Sequence, residues 1–189
     1  MDAARRIDGA VALKVQSPDI AHKTEAGAVA LNLASAEAVR SSYERVLGNA
    51  LQRAPDARVL GVLVQPMAPP GREMILGVKG DPTFGPMLMV GLGGVHVEVF
   101  RDVALAPLPL SETDARDMLG RLKGAPLLGA FRGQPASDVD ALVELMVRLA
   151  QFASDHAGTI AEIDLNPVLV HERGKGVSLV DALIVKHRT

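Results

Sequence analysis

The sequence predicts an α+β protein in two parts, and three observations support this prediction. Short apolar runs of strand type, bounded by glycine, proline and polar residues, recur along the whole chain. Two longer stretches, residues 35–53 and 137–153, instead repeat apolar residues at spacings of three and four, which is typical of amphipathic helices. A proline-rich segment at residues 65–71 ends one strand run and predicts a hinge between a smaller and a larger part.

The composition excludes several classes of function. The 189 residues are 48% hydrophobic but only 3% aromatic, so we expect a core of Val, Leu, Ala and Met. Few aromatic rings and a net charge of −2 with interspersed signs argue against nucleic acid or an anionic membrane as a partner. The absence of cysteine excludes disulfides, thiolate metal sites and a Cys nucleophile. No apolar window approaches membrane-spanning length, so we expect a cytoplasmic protein.

The N-terminal part, residues 1–64, is predicted to begin with a short helical stretch and a strand that contains Lys14. A second strand forms a hairpin with the first, and a helix and a further strand follow. Because proline lacks the amide donor of a strand, we expect this last strand to end at Val64. The predicted elements are a helix at 3–7, strands at 10–15, 29–33 and 59–64, and a helix at 35–53.

The loop between the first two strands, SPDIAHKTEAG at residues 17–27, concentrates reactive side chains. Its proline and late glycine predict an exposed loop with His22 at the tip. A neutral imidazole is a nucleophile whose pKa lies near neutrality, so His22 can accept a phosphoryl group while Asp19 or Glu25 holds its other nitrogen. A solvated histidine without a catalytic role is the alternative.

The C-terminal part, residues 65–189, is predicted to join short strands through turn clusters. A strand at 72–79 leads through a turn to a strand at 87–90, after which Gly91, Gly93 and Gly94 follow. Such glycines let backbone amides approach phosphate oxygens, although a tight hairpin is the simpler explanation. Further predicted elements are a strand at 95–100, an extended passage at 105–110, a short helix capped by Ser111 and a helix capped by Ser137.

The last strands contain the acidic side chains. Within residues 160–170, Glu162, Asp164 and Asn166 share one face by the strand period of two. If residues 177–185 pair with this strand, Asp181 lies near Asn166, and the combined oxygens suit Mg²⁺ held jointly with nucleotide phosphates. A solvated polar face is the alternative.

Motifs along nearly the whole chain resemble the ATP-grasp domain of the NDP-forming acyl-CoA synthetases, such as the ADP-forming acetyl-CoA synthetases, and more distantly the β subunit of succinyl-CoA synthetase. The loop departs from the family pattern at Gly27-Ala28-Val29, where Gly-Gly-Val is usual. The resemblance implies an ATP-grasp fold of two α+β lobes with mostly antiparallel sheets and an incomplete N-terminal lobe. The matching motifs are Lys14 with SPDIAHKTEAG, then VLVQPM, REMILG, DPTFGPMLMVGLGGVHVE, and EIDLNP with a downstream VDA.

The resemblance also implies roles for single residues. His22 is implied as the catalytic phosphoryl acceptor, with ATP or ADP and Mg²⁺ as cofactors. In the family, acyl-CoA, ADP and phosphate give acid, CoA and ATP through an acyl phosphate and a first phosphohistidine on a different domain. The implied ATP-binding residues are Lys14, Val64, Gln65, Met67, Glu73, Gly93 and Gly94, and the implied metal ligands are Asp164, Asn166 and Asp181.

The domain of that first phosphohistidine and a CoA-binding Rossmann segment are not recognisable in the sequence. The resemblance therefore implies an acid–CoA ligase that needs a partner subunit or further domains for the full reaction. One alternative is a non-catalytic nucleotide-sensing ATP-grasp module of a larger protein such as a lysine acetyltransferase. Another is a carboxylate–amine ligase that uses an acyl phosphate without phosphohistidine. The other histidines and Arg132 are interpreted as surface residues, with His171 and His187 exposed.

Overall fold

A computed structural model describes residues 2–20, 23–94, 102–131 and 133–187 of the protein. The chain divides into two compact units, Met1–Met67 and Ala68–Thr189. Both units combine strands with helices, which confirms the predicted α+β class. The predicted boundary between residues 64 and 65 lies slightly earlier in the chain and stays a prediction.

The helices and strands follow one another with few long connections among the described residues. None of the described helices is long and apolar enough to cross a membrane. The helices are α1 (Asp2–Arg5), α2 (Ala36–Arg53), α3 (Glu112–Gly120) and α4 (Val139–Asp155), with a 3₁₀ helix at Ala125–Leu128. The strands are β1 (Val11–Gln16), β2 (Val29–Leu33), β3 (Gly61–Pro66), β4 (Arg72–Asp81), β5 (Gly85–Leu92), β6 (Val103–Pro107), β7 (Ile160–Val170), β8 (Val177–Leu179) and β9 (Ala182–Lys186).

The smaller unit is a three-stranded antiparallel sheet of order β2-β1-β3 that packs against α2. Ser35 caps α2 by accepting a hydrogen bond from the amide of Ala38, and the helix buries Val39, Val46 and Ala50. These side chains pack with alternate residues of β1, of which Leu13 is fully buried. Burying a side chain of this size stabilises the fold by about 1.5–3 kcal/mol.

The larger unit is an antiparallel sheet of order β6-β5-β4-β7-β8, with β9 pairing to the other half of β7. One face of this sheet packs against α3 and α4 and forms the core. We call the opposite face the open face. The core contains alternate residues of every long strand, including Met74, Leu76, Leu88, Val90, Ile163 and Leu165.

The pairing of the strands shows which residues lie together on the open face. Gly77 pairs with Met89 on one side and with Asp164 on the other, and Met89 also pairs with Leu105. Since directly opposed residues of an antiparallel pair share a face, these four residues form one row across the sheet. The carboxylate of Asp164 therefore lies within a row of uncharged residues on the open face, with Leu183 of β9 opposite it on its other side.

Two predicted details of the elements are wrong. Strand β3 does not end at Val64 as predicted but continues to Pro66, which pairs with Val11. A proline is tolerated there because β3 lies at an edge of its sheet. Helix α4 is capped by Asp138, whose carboxylate accepts from the amide of Ala141, and not by Ser137. The alternating stretch predicted at 95–100 lies outside the described residues.

Candidate functional site

The predicted catalytic residue, His22, lies outside the described residues, but both ends of its loop are described. At the start, the Asp19 carboxylate accepts a hydrogen bond of 2.7 Å from the amide of Arg58. At the end, the Asn49 side chain donates to the carbonyl of Gly27 at 3.0 Å, and a Cβ on Gly27 would lie 2.8 Å from that side chain. The loop is therefore attached at both ends to the smaller unit.

Lys14 lies on β1 between core residues but faces away from them. Leu13 and Val15 belong to the core of the smaller unit, so alternation turns Lys14 and Ala12 to the other face of the sheet. The register places Gln65 opposite Ala12 and Leu63 opposite Lys14, so Lys14 and Gln65 share that face. Lys14 is nonetheless 96% buried, since only 4% of its surface is exposed. Two predicted ATP-binding residues are thus brought to one face.

Val64 and Met67, the other predicted ATP-binding residues at the hinge, do not present their side chains as Lys14 and Gln65 do. Val64 packs against the core of the smaller unit, so its side chain does not share the face of Lys14 and Gln65. Met67 donates its amide hydrogen to the carbonyl of Ala10 at 3.0 Å, and its sulfur accepts from the amide of Asn32 at 3.5 Å. A contact of Val64 with nucleotide would therefore use its backbone groups.

The glycine cluster after β5 is explained by the close approach of Glu73. The amide of Gly93 donates to the carbonyl of Glu73 at 2.7 Å. A Cβ on Gly93 would lie 2.8 Å from the carbonyl carbon of Glu73, and a Cβ on Gly94 would lie 2.8 Å from its carboxylate. Gly94 also has φ of +71°, a conformation that side chains disfavour. The structure therefore brings Glu73, Gly93 and Gly94 together.

The predicted metal ligands lie near an irregularity of β7, at the place where the strand that pairs with it is also interrupted. The pairing of β4 with β7 shifts register between Leu165 and Val168, and the partner of β7 is broken between β8 and β9. At this place the amide of Asn166 donates to the carbonyl of Asp181 at 3.2 Å. The predicted proximity of Asn166 and Asp181 is thus observed, although residues 177–185 form two strands and not one.

Asp164 lies on the open face two residues before Asn166, since Ile163 and Leu165 are both in the core. The oxygens that this part of the sheet offers are one amide and two carboxylates. This set fits Mg²⁺, which is usually held by one or two carboxylates together with substrate phosphates. Within the described ranges, no three His, Cys, Asp or Glu side chains are grouped to hold a metal ion.

A pocket of about 670 Å³ lies entirely within the larger unit, at the start of β4. It contains Glu73, Gly93 and Gly94, whereas Asp164, Asn166 and Asp181 do not line it. The structure thus separates the predicted site residues of this unit into two groups. The remaining lining residues are Pro70, Gly71, Arg72, Leu92, Leu127, Gln134, Pro135, Ser137, Val170, His171 and Glu172.

His171 is buried, so its predicted exposure is wrong. Its Nδ1 lies 3.1 Å from the carbonyl of Pro70 and its Nε2 lies 2.7 Å from the hydroxyl of Ser178. Because a carbonyl only accepts, Nδ1 donates to it, and in the neutral ring Nε2 then accepts from the hydroxyl. His171 therefore connects the segment before β4 to β8.

Asp138 stabilises the same end of the sheet. Its carboxylate accepts from the amide of Gly176 at 2.7 Å as well as from Ala141 in α4. The hydrogen bond from Gly176 is the main cause that holds the pKa of Asp138 below its usual value, and burial acts in the opposite direction. The turn after β7 is thereby fixed to the start of α4.

Comparisons with known proteins agree over nearly the whole chain. The ATP-grasp domain family matches residues 1–185. The β subunit of acetate–CoA ligase (ADP-forming) II from Pyrococcus furiosus is 42% identical over 182 residues, which cover 96% of this chain and 77% of that subunit. Acetate–CoA ligase (ADP-forming) I from Archaeoglobus fulgidus is 42% identical over 176 residues, which cover 93% of this chain but 25% of that protein.

Solved structures give the same result. The dinucleotide-forming acetyl-coenzyme A synthetase 1 of Ca. Korarchaeum cryptofilum, in complex with coenzyme A and Ca-AMPCP, superposes with a TM-score of 0.91 at 42% identity, covering 98% of this chain and 80% of that chain. The same enzyme with coenzyme A and Mg-AMPPCP has its phosphohistidine segment pointing towards the nucleotide binding site. That structure has a TM-score of 0.80 at 40% identity, with the same coverage of both chains.

Proposed function

Since the chain belongs to the ATP-grasp family, in which it corresponds to the ATP-grasp part of the ADP-forming acetyl-CoA synthetases, we propose that it transfers phosphate between His22 and a bound adenine nucleotide. The main support is the similarity to a synthetase whose phosphohistidine segment points towards its nucleotide site. In this chain, His22 lies in the loop that directly follows the strand of Lys14.

In the proposed step, a ring nitrogen of His22 uses its lone pair to form a bond to the γ-phosphorus of ATP. The bond between that phosphorus and the bridging oxygen breaks, and ADP leaves with the electron pair. The reverse step regenerates ATP from ADP. Such a transfer requires in-line approach of the neutral imidazole and exclusion of water.

Lys14 is proposed to bind the nucleotide phosphates as a point charge, which suits an ammonium group at a largely buried position. Gln65 and the backbone at Val64 and Met67 are proposed to contact the base, and Glu73 with Gly93 and Gly94 to bind other parts of the nucleotide. Mg²⁺ held by Asp164, Asn166 and Asp181 would offset the negative charge of the phosphates. The register shift in β7 and the break between β8 and β9 support these metal ligands, because they bring Asn166 and Asp181 together.

We propose that the complete acid–CoA ligase reaction needs a CoA-binding subunit or further domains that contain the first phosphohistidine, and that it takes place in the cytoplasm. The chain spans about three quarters of one relative and about a quarter of another, so those proteins contain further parts. Acyl specificity would then reside in the partner. A purely nucleotide-sensing role is not favoured, since the similar proteins are named as ligases.

The experiment is incubation with γ-³²P-labelled ATP and Mg²⁺, with and without a CoA-binding subunit, followed by tests of acid and alkali stability. We expect an acid-labile, alkali-stable label that His22→Ala abolishes and that the control His156→Gln leaves unchanged. Tight ATP binding without label, even with the partner present, would contradict the proposal and favour a sensing role.

A further inference from the structure

Arg72, the first residue of β4, has two guanidinium nitrogens in an unusual environment. Its Nε and Nη2 are buried, and neither makes a hydrogen bond within the part of the chain that the structure describes. A buried charged donor without a partner is unfavourable, because it has lost its hydrogen bonds to water and gained none in return. The described residues therefore leave these two donors of Arg72 unsatisfied.

The two nitrogens without a partner lie on the same edge of the planar guanidinium. The N–H groups of Nε and Nη2 point in nearly parallel directions, and this fork matches the two oxygens of a carboxylate or phosphate. A single point acceptor would satisfy only one of them. An oxyanion with two available oxygens therefore suits this edge of Arg72.

Arg72 lines the pocket of about 670 Å³ described above, which is within the size range of small-molecule sites. The walls around it are largely apolar and include Leu92, Leu127 and Pro135. Such walls would contact the body of an organic molecule, while the guanidinium fixes its charged end.

The neighbouring polar groups of the pocket do not supply the missing oxyanion. Glu73 follows Arg72 directly, so strand alternation turns its side chain to the other face, where its carboxylate lies against Gly94. Glu172 forms an ion pair with Lys175. His171 uses both ring nitrogens for Pro70 and Ser178.

We propose that this pocket binds a small organic anion whose carboxylate or phosphate group takes the Nε and Nη2 edge of Arg72. The apolar part of the ligand packs against Leu92, Leu127 and Pro135. This inference does not depend on phosphate transfer at His22, although its nucleotide form rests on the nucleotide contacts proposed above for Glu73, Gly93 and Gly94. The oxyanion belongs either to a nucleotide, since Glu73 and Gly93 share the pocket, or to a separate organic acid or phosphate.

The test is isothermal titration calorimetry of the 189-residue chain with three probes: inorganic phosphate, butyrate and ADP. We expect at least one probe to bind, with affinity at least about 10-fold lower in Arg72→Met. Arg72→Lys keeps the charge without the fork and should also weaken binding. Arg148→Met, which removes an arginine 77% exposed on α4, is the matched control and should bind like the original chain.

Competition with ADP shows whether the bound anion is a nucleotide or a separate ligand, and a second pocket variant controls for loss of folding in the Arg72 variants. Binding of phosphate or butyrate that ADP does not displace identifies a separate ligand, whereas Arg72-dependent binding of ADP identifies the nucleotide.

Leu127→Trp narrows the pocket with Arg72 intact and should also reduce binding. Binding should persist in His22→Ala, so failure of phosphate transfer is distinguishable. Absence of any Arg72-dependent binding, or an equal loss in Arg148→Met, would overturn the proposal.

Discussion

At the scale of single residues, the position of Lys14 illustrates how strand alternation places a charge. Its neighbours Leu13 and Val15 are in the core, so the ammonium is turned to the opposite face, and only 4% of the residue is exposed. A largely buried ammonium needs hydrogen-bond acceptors or an anion nearby to offset its lost hydration. The proposed anion is the phosphate chain of the nucleotide.

Replacing Lys14 by Met should therefore weaken ATP binding. Loss of one charge-assisted hydrogen bond to phosphate corresponds to about 1.5–3 kcal/mol, or about 10-fold to 100-fold in the dissociation constant. Titration calorimetry with ATP and Mg²⁺ measures the effect, and Lys123→Met, at an exposed lysine, is the control. Unchanged ATP affinity in folded Lys14→Met would remove Lys14 from the site.

Single residues also mark the limit of prediction from sequence. The strand period placed Asp164 on one face with Glu162 and Asn166, because alternation is a local property. The burial of His171 involves Pro70, which is distant from it in sequence. That Nε and Nη2 of Arg72 have no hydrogen-bond partner among the described residues likewise depends on the folded structure. An arginine at the first position of a strand gives no local signal of such an environment.

At the scale of elements, the contact between β4 and the end of β5 depends on the absence of a side chain at Gly93. A Cβ there would lie 2.8 Å from the backbone of Glu73, which cannot move as freely as the end of a side chain. Since the amide of Gly93 also donates to Glu73, the glycine fixes one edge of the pocket.

Gly93→Ala should consequently lower the free energy of unfolding by about 1–3 kcal/mol through overpacking. The matched control is Gly48→Ala in α2, where a Cβ would meet nothing within 4 Å and alanine favours the helix. Urea unfolding measures both. Equal stability of Gly93→Ala and the original chain would show that the strand end adapts without cost.

Helix α4 and the turn after β7 are connected by Asp138. The hydrogen bond from Gly176 lowers the pKa of this carboxyl in the folded state, so the unfolded chain binds the proton more readily. The stabilisation is therefore complete at neutral pH and is lost as the pH falls below about 4.

Asp138→Ala should reduce the free energy of unfolding at pH 7 by about 1–2 kcal/mol, as expected for loss of a helix cap. The difference from the original chain should shrink as the pH is lowered towards 3. Thermal unfolding across this pH range tests it, with Asp140→Ala at an exposed neighbour as the control. A constant difference at all pH values would contradict the assigned ionisation.

The presence of the helices and strands was predicted better than the residues at which they begin and end. The bounds of β7 agree with the predicted run at 160–170, because residues 162–166 alternate polar with apolar and the residues on both sides of them are apolar. The break between β8 and β9 was missed, since it matches a register shift in β7 that only the paired strands define. The cap of α4 was assigned to Ser137 because Ser and Asp are both good caps in sequence.

At the scale of the whole molecule, the chain corresponds to the ATP-grasp part of the ADP-forming acetyl-CoA synthetases. Residues proposed to bind nucleotide or to accept phosphate occur in each unit. Lys14, Gln65 and His22 belong to Met1–Met67, and Glu73, Asn166 and Asp181 belong to Ala68–Thr189. The motif order predicted this family from sequence. The acid and CoA chemistry is proposed to require the partner.

The most direct measurement of the central claim is ³¹P nuclear magnetic resonance of the chain incubated with ATP and Mg²⁺, followed by addition of excess ADP. We predict a phosphorus–nitrogen resonance that is absent in His22→Ala and that disappears when ADP is added, with an equal amount of ATP formed. Nucleotide binding without such a resonance, or a resonance that persists in His22→Ala, would contradict phosphate transfer at His22.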